Sequence, residues 1–167
     1  MRDCLTALGN QFPQTSTIAS LIASVCPDGS VAMELAPLVR NALFKMATIG
    51  MADLSTVAFG IATGPDEHPE ALRLARLDAE AGRSWTTNAR HETVSLNVVQ
   101  RAILPDLDGT RCQASLVATV EQHVADGRIR FQKDGQPIEA AGEIDSAIRE
   151  HITSALAGLA KSGLLLA

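Results

Sequence analysis

At 167 residues, with 46% hydrophobic and 20% charged side chains, the chain has the make-up of one folded domain with a real core, which excludes a disordered, collagen-like or coiled-coil protein. Nineteen acids against fourteen bases leave a formal charge of −5, the wrong sign for binding phosphate backbones by counterion release or for docking on an anionic membrane. Aromatic residues are 3% of the chain, so stacking platforms for bases are few and the core must be built from Ala, Leu, Val and Ile.

Thr15 to Cys26 places Ile18, Leu21, Ile22 and Val25 at helical spacing, opens on capping hydroxyls and meets a stop at Pro27-Asp28-Gly29, which predicts a short helix. From Val31 to Ile49 the apolar set Leu35, Leu38, Val39, Ala42, Leu43 and Met46 predicts a second helix, regular from about Pro37 and ended by Gly50. Val57, Phe59 and Ile61 then alternate with small or polar residues, the period of a strand. Pro69-Glu70 signals a helix start, continued by Leu72, Ala75 and Ala79 and stopped at Gly82. Beyond Glu92 the alternation of Val94, Leu96 and Val98, and then of Ala114, Leu116, Ala118 and Val120, predicts two strands. Asp126-Gly127 and Asp134-Gly135 each supply the positive φ of a tight hairpin, with Ile129 and Phe131 alternating between them. Glu143 to Lys161 lines Ile144, Ile148, Ile152, Ala155, Leu156 and Leu159 along one face and closes the chain as an amphipathic helix before Gly163.

This order predicts a single α+β domain over residues 1–167. Its helices pack on one face of a mostly antiparallel sheet, with a β-meander in the C-terminal half and a closing C-terminal helix.

Cys4, Cys26 and Cys112 are dispersed, with no C-x-x-C pair and no Cys/His spacing suited to zinc, so neither a disulfide framework nor a metal site is expected. The first ten residues lack the apolar core of a secretory signal, and no stretch approaches the roughly 18 apolar residues of a membrane span. A cytoplasmic protein without cofactor is the expectation.

The densest polar run follows the only tryptophan: Trp85, Thr86, Thr87, Asn88, then Arg90-His91-Glu92. Trp85, Asn88, Arg90 and His91 are therefore the candidate binding residues. If the protein is an enzyme, His91 and Glu92, with His68 from the Asp66-Glu67-His68 cluster, are the acid/base candidates and Arg90 the anion clamp. Gly60-x-x-x-Gly64 lacks the Lys and Ser/Thr of a phosphate-binding loop and is followed by two acids, so it reads as a turn. Arg128, Arg130 and Lys133 on one hairpin read as charges guarding a sheet edge.

With no catalytic constellation in view, the primary expectation is a non-catalytic interaction and assembly protein. It would be homo-oligomeric through its sheet, the amphipathic C-terminal helix and the apolar tail, with Ile148, Ile152, Leu159, Leu164 and Leu165 at the interface. The alternative is a small-molecule enzyme built around His91 and Glu92.

Overall fold

The computed structural model describes residues 2–25, 29–133, 135–138 and 140–167. Its chain divides into two units, Met1–Phe59 and Gly60–Ala167.

The first unit is helical: α1 (Arg2–Gln11), α2 (Ile18–Val25) and α3 (Gly29–Thr48). Thr17 starts α2 by accepting the amide of Ser20 on its hydroxyl at 3.0 Å, which satisfies one of the amides a helix start leaves free. Helix α2 packs on both α1 and α3. Leu21 and Ile22 of α2 meet Val39 and Leu43, one turn apart on α3, with Ala7, Leu8 and Ile18 against them. Pro37 lies within α3 rather than at its start, and the helix runs through it. The stop expected at Pro27-Asp28 falls outside the described residues. Helix α1 had no counterpart in the sequence reading.

The second unit follows the order α4 (Arg73–Glu80), β1 (Trp85–Thr87), β2 (Thr93–Ser95), α5 (Val98–Ile103), α6 (Gln113–Ala125), β3 (Gln132–Lys133), β4 (Gln136–Pro137) and α7 (Ala141–Lys161). The fold is α+β as expected, but its sheet is far smaller. It consists of two antiparallel hairpins, β1–β2 with Thr86 opposite Val94, and β3–β4 with Lys133 opposite Gln136. The core lies among helices: α5, α6 and α7 pack on one another through Val99 and Ile103, Leu116 and Val120, and Ile148, Ile152, Leu156 and Leu159.

Three expectations of strand fail for identifiable reasons. Residues 113–125 form α6, because Leu116 and Val120, one turn apart, both reach the core while Ala114 and Ala118 face water. The alternation there came from small residues that commit to neither period. The strand expected from Thr93 stops at Ser95, because Asn97 caps α5: its side chain accepts the amide of Gln100, whose side chain returns to the amide of Asn97. Between Ser55 and Gly60 no strand forms, and Val57 is exposed. Ile61 makes a single antiparallel bridge, to Leu166.

Of the two Asp-Gly pairs, Asp126-Gly127 ends a helix instead of turning a hairpin. Gly127, at φ +72°, donates to the Val124 carbonyl while Arg128 donates to that of His123, the double bond of a Schellman cap. The second pair does turn β3 into β4, with Gly135 at φ +78°; Asp134 is outside the described residues.

Helix α7 closes in the same way at Gly163, φ +74°, and the tail beyond it is stitched into the unit. The Leu164 carbonyl accepts from Leu72, that of Leu165 from Ala62, and the Leu166 amide donates to Glu70. Segment 69–72, expected to begin a helix, is thereby held extended and α4 starts only at Arg73. Ile148, Ile152, Leu159, Leu164 and Leu165 are at most 3% exposed inside this unit. The residues expected to form an interface thus pack within the unit's own core.

Among the described residues no helix is long and apolar enough to cross a membrane.

Candidate functional site

The polar run singled out in the sequence becomes the five-residue loop joining β1 to β2. Asn88, only 4% exposed, organises it. Its amide nitrogen donates to Glu92 Oε2 at 2.7 Å and to the Ser162 carbonyl at 2.9 Å, and its Oδ1 accepts the amides of Arg90 and Glu92. Arg90 Nε donates to the same Glu92 oxygen at 3.0 Å. Hydrogen bonds from the Asn88 amide and from Arg90 hold the Glu92 carboxyl below its ordinary value of 4.5.

A carboxylate stabilised in this way as an anion is a poor proton carrier at neutral pH. His91 occupies the left-handed position of the loop, φ +61°, and is exposed. His68 lies in a different neighbourhood, on the exposed segment whose Glu67 and Asp66 carbonyls accept from the backbone and side chain of Gln113 at the start of α6. The structure therefore brings Asn88, Arg90 and Glu92 together and leaves both histidines outside. What they build is a brace between the β1–β2 loop and the end of α7, through Ser162, a partner 74 residues away that no local pattern reveals.

Trp85 stands beside a second buried polar group. Asp78, 5% exposed on α4, accepts from Arg83 Nη1 at 2.7 Å and from the fully buried Thr86 hydroxyl at 2.8 Å. The Arg83 guanidinium sits 5.6 Å from the centre of the Trp85 ring. This network satisfies a buried carboxylate and fixes β1 against α4.

A concave site lies elsewhere in the second unit, where α5, the segment entering the β3–β4 hairpin and α7 leave a cavity of about 340 Å³. Val99, Ile129 and Ala155 line its apolar part, and Arg130, Gln132 and Ser154 its polar part. The Phe131 and His151 rings stack alongside, with centroids 4.9 Å apart and planes 23° from parallel. Three distant stretches of sequence supply these groups, and none was singled out for this role. Among the described residues no three His, Cys, Asp or Glu side chains gather as a metal site would require.

Comparison with known proteins decides the family. A family model described as PKMT, C-terminal winged helix domain, matches residues 67–164. The chain belongs to this winged-helix family. Two solved structures of PKMT2 from Rickettsia typhi, one of them in complex with AdoHcy, are similar over 100% of the chain, with TM-scores of 0.86 and 0.88 at 11% and 12% identity. At that identity the likeness is one of fold. The chain spans 34% of each of those proteins. The uncharacterized protein RP789 of Rickettsia prowazekii (strain Madrid E) is 26% identical over 82 residues, which are 49% of this chain and 15% of that protein.

The family match overturns the expected assembly protein and its alternative, an acid/base enzyme around His91 and Glu92. It places the chain instead in the family of PKMT C-terminal winged helix domains. Asn88, Arg90 and Glu92 are engaged in holding the β1–β2 loop to the end of α7.

Proposed function

We propose that this chain works as the winged-helix part of a PKMT-type protein lysine methyltransferase. In the reaction concerned, a lysine Nζ takes a methyl group from a sulfonium donor and AdoHcy is left. The observation that carries the reading is the family match over residues 67–164, a stretch that holds α4 to α7 and nearly all of the core they enclose. The fold likeness to PKMT2 over the whole chain supports it.

The surface of the first unit supports it too. Leu38, Phe44, Ile49, Met51, Leu54 and Val57 are each more than 60% exposed, an amount of apolar surface that a larger enzyme body would cover. Residues 60–167 carry fifteen acids and eleven bases, so the winged-helix unit favours a protein over a nucleic acid as its partner. A cytoplasmic setting fits the three dispersed cysteines.

The test begins with the protein isolated from the cells that make it, at native abundance and with whatever polypeptide it belongs to. Extracts are supplied with a donor carrying a tritiated methyl group, and label on protein lysine is counted before and after depletion with an antibody to this chain. The reading expects a discrete set of labelled proteins to disappear on depletion and to return when the eluted material is added back. Labelling that stays in the depleted extract at its full level contradicts it.

A further inference from the structure

We propose that the cavity between α5, the β3–β4 hairpin and α7 binds a small planar organic anion, an aromatic carboxylate in kind. At about 340 Å³ it lies at the small end of the roughly 300–1,000 Å³ of sites that hold small molecules. Its floor is apolar: Val99, Ile129 and Ala155 are at most 5% exposed and belong to the core, so a ligand body set there gains apolar contact.

One wall is a ready-made stacking surface. Phe131 is 9% exposed while the His151 ring lying on it is exposed, and a planar ligand extends that pair. Among the described residues the His151 imidazole has no hydrogen-bond partner, so its ring nitrogens remain open to a ligand.

Charge sets the sign of the ligand. The chain has five more acids than bases, yet among the described residues neither Asp nor Glu lines this cavity. Among the described residues that line it, Arg130 is the permanently charged one. Arg83, Arg90, Arg111, Arg128 and Arg149 each hold a carboxylate of the chain, whereas among the described residues Arg130 has neither an ion pair nor a hydrogen bond. An arginine without a carboxylate partner, lining a cavity that also has an apolar floor and a stacked ring pair, matches a carboxylate carried on a flat apolar body. The carboxylate accepts the two parallel N–H groups while the body lies on the rings. Gln132 and Ser154 add neutral donors at the rim.

The inference rests on the cavity alone and stands whether or not the chain serves a methyltransferase. It is tested on the full chain, isotopically labelled, by following backbone amide NMR signals during titration with naphthoate and, separately, with the neutral naphthamide. Naphthoate is expected to move the amides of residues 129–132 and 151–155. Loss of one charge-assisted contact, in Arg130→Gln or with naphthamide, is expected to weaken binding by about tenfold or more. Arg149→Gln, which loses a cation of α7 that does not line the cavity, is expected to bind naphthoate as the native chain does. Binding that is equally tight in Arg130→Gln with an otherwise native spectrum, equal affinity for the two probes, or signal changes located elsewhere would each overturn the proposal.

Discussion

Truncating Leu164 to alanine separates a tail that is core from a tail that is an interface. Leu164 is 0% exposed and packs within the cluster that joins α5, α6 and α7. The substitution removes three carbons, about 2.4 kcal/mol at ~0.8 kcal/mol per buried methylene, and the cavity left behind raises the cost towards the ~5 kcal/mol end of such replacements. The backbone bonds of this residue, from Leu72 to its carbonyl and from its amide to Leu159, do not depend on its side chain and persist. A loss of about 2–5 kcal/mol is a large share of the ~5–15 kcal/mol that holds a typical domain. Denaturant unfolding followed by circular dichroism measures it, with Leu74→Ala as the control. Leu74 is 52% exposed, and its truncation is expected to cost no more than about 0.5 kcal/mol. Because the contact is internal, the loss is expected to be the same at every protein concentration, whereas an intermolecular contact would make it fall with dilution. A loss below about 1 kcal/mol, or one that varies with concentration, would refute the assignment of the tail to the core.

Asn88→Ala strips the loop brace of its four side-chain bonds and leaves the Ser162 carbonyl without that partner, so it is expected to cost about 1–3 kcal/mol. Hydrogen exchange should quicken at the amides of Arg90 and Glu92, and unchanged protection there would count against the brace. Gly163→Ala puts a Cβ on a residue at φ +74° and within 3.4 Å of the Ile61 side chain. It is expected to lose about 1–2 kcal/mol in the same unfolding assay, and a neutral result would contradict the Schellman closure. The folded state lowers the Glu92 pKa from 4.5, so this carboxylate adds stability above that value and loses it as pH falls through the lowered one. Glu92→Gln is therefore expected to flatten part of the acid limb of stability against pH, while a limb identical to the native one would show that the carboxylate contributes nothing.

Helix α7 was legible because its apolar residues keep one face over five turns and Gly163 ends it, a pattern strong enough to need no tertiary help. Helix α6 was not, because Ala114 and Ala118 fit either period and only the core decides that Leu116 and Val120 point together. The start of α5 was written in the sequence, in the reciprocal Asn97 and Gln100 cap, but lay hidden inside an alternating run. The polar run that holds Asn88, Arg90 and Glu92 stood out in the sequence, but the bond from Asn88 to the Ser162 carbonyl did not, since that partner arrives from the far end of the chain. The cavity was illegible for the same reason: residues 97–99, 129–132 and 151–155 meet only once the helices pack. Membership in the PKMT winged-helix family left no short motif for chemistry to recognise. It is a property of the whole stretch 67–164.

The most direct measurement of the central claim is an inventory of methylated lysines by mass spectrometry, taken from cells that make the protein and from cells in which residues 67–164 have been deleted. The account predicts that particular methyl-lysine sites vanish with the deletion and return when the intact chain is restored. Identical inventories, with the deleted protein still present and folded outside the deletion, would contradict it.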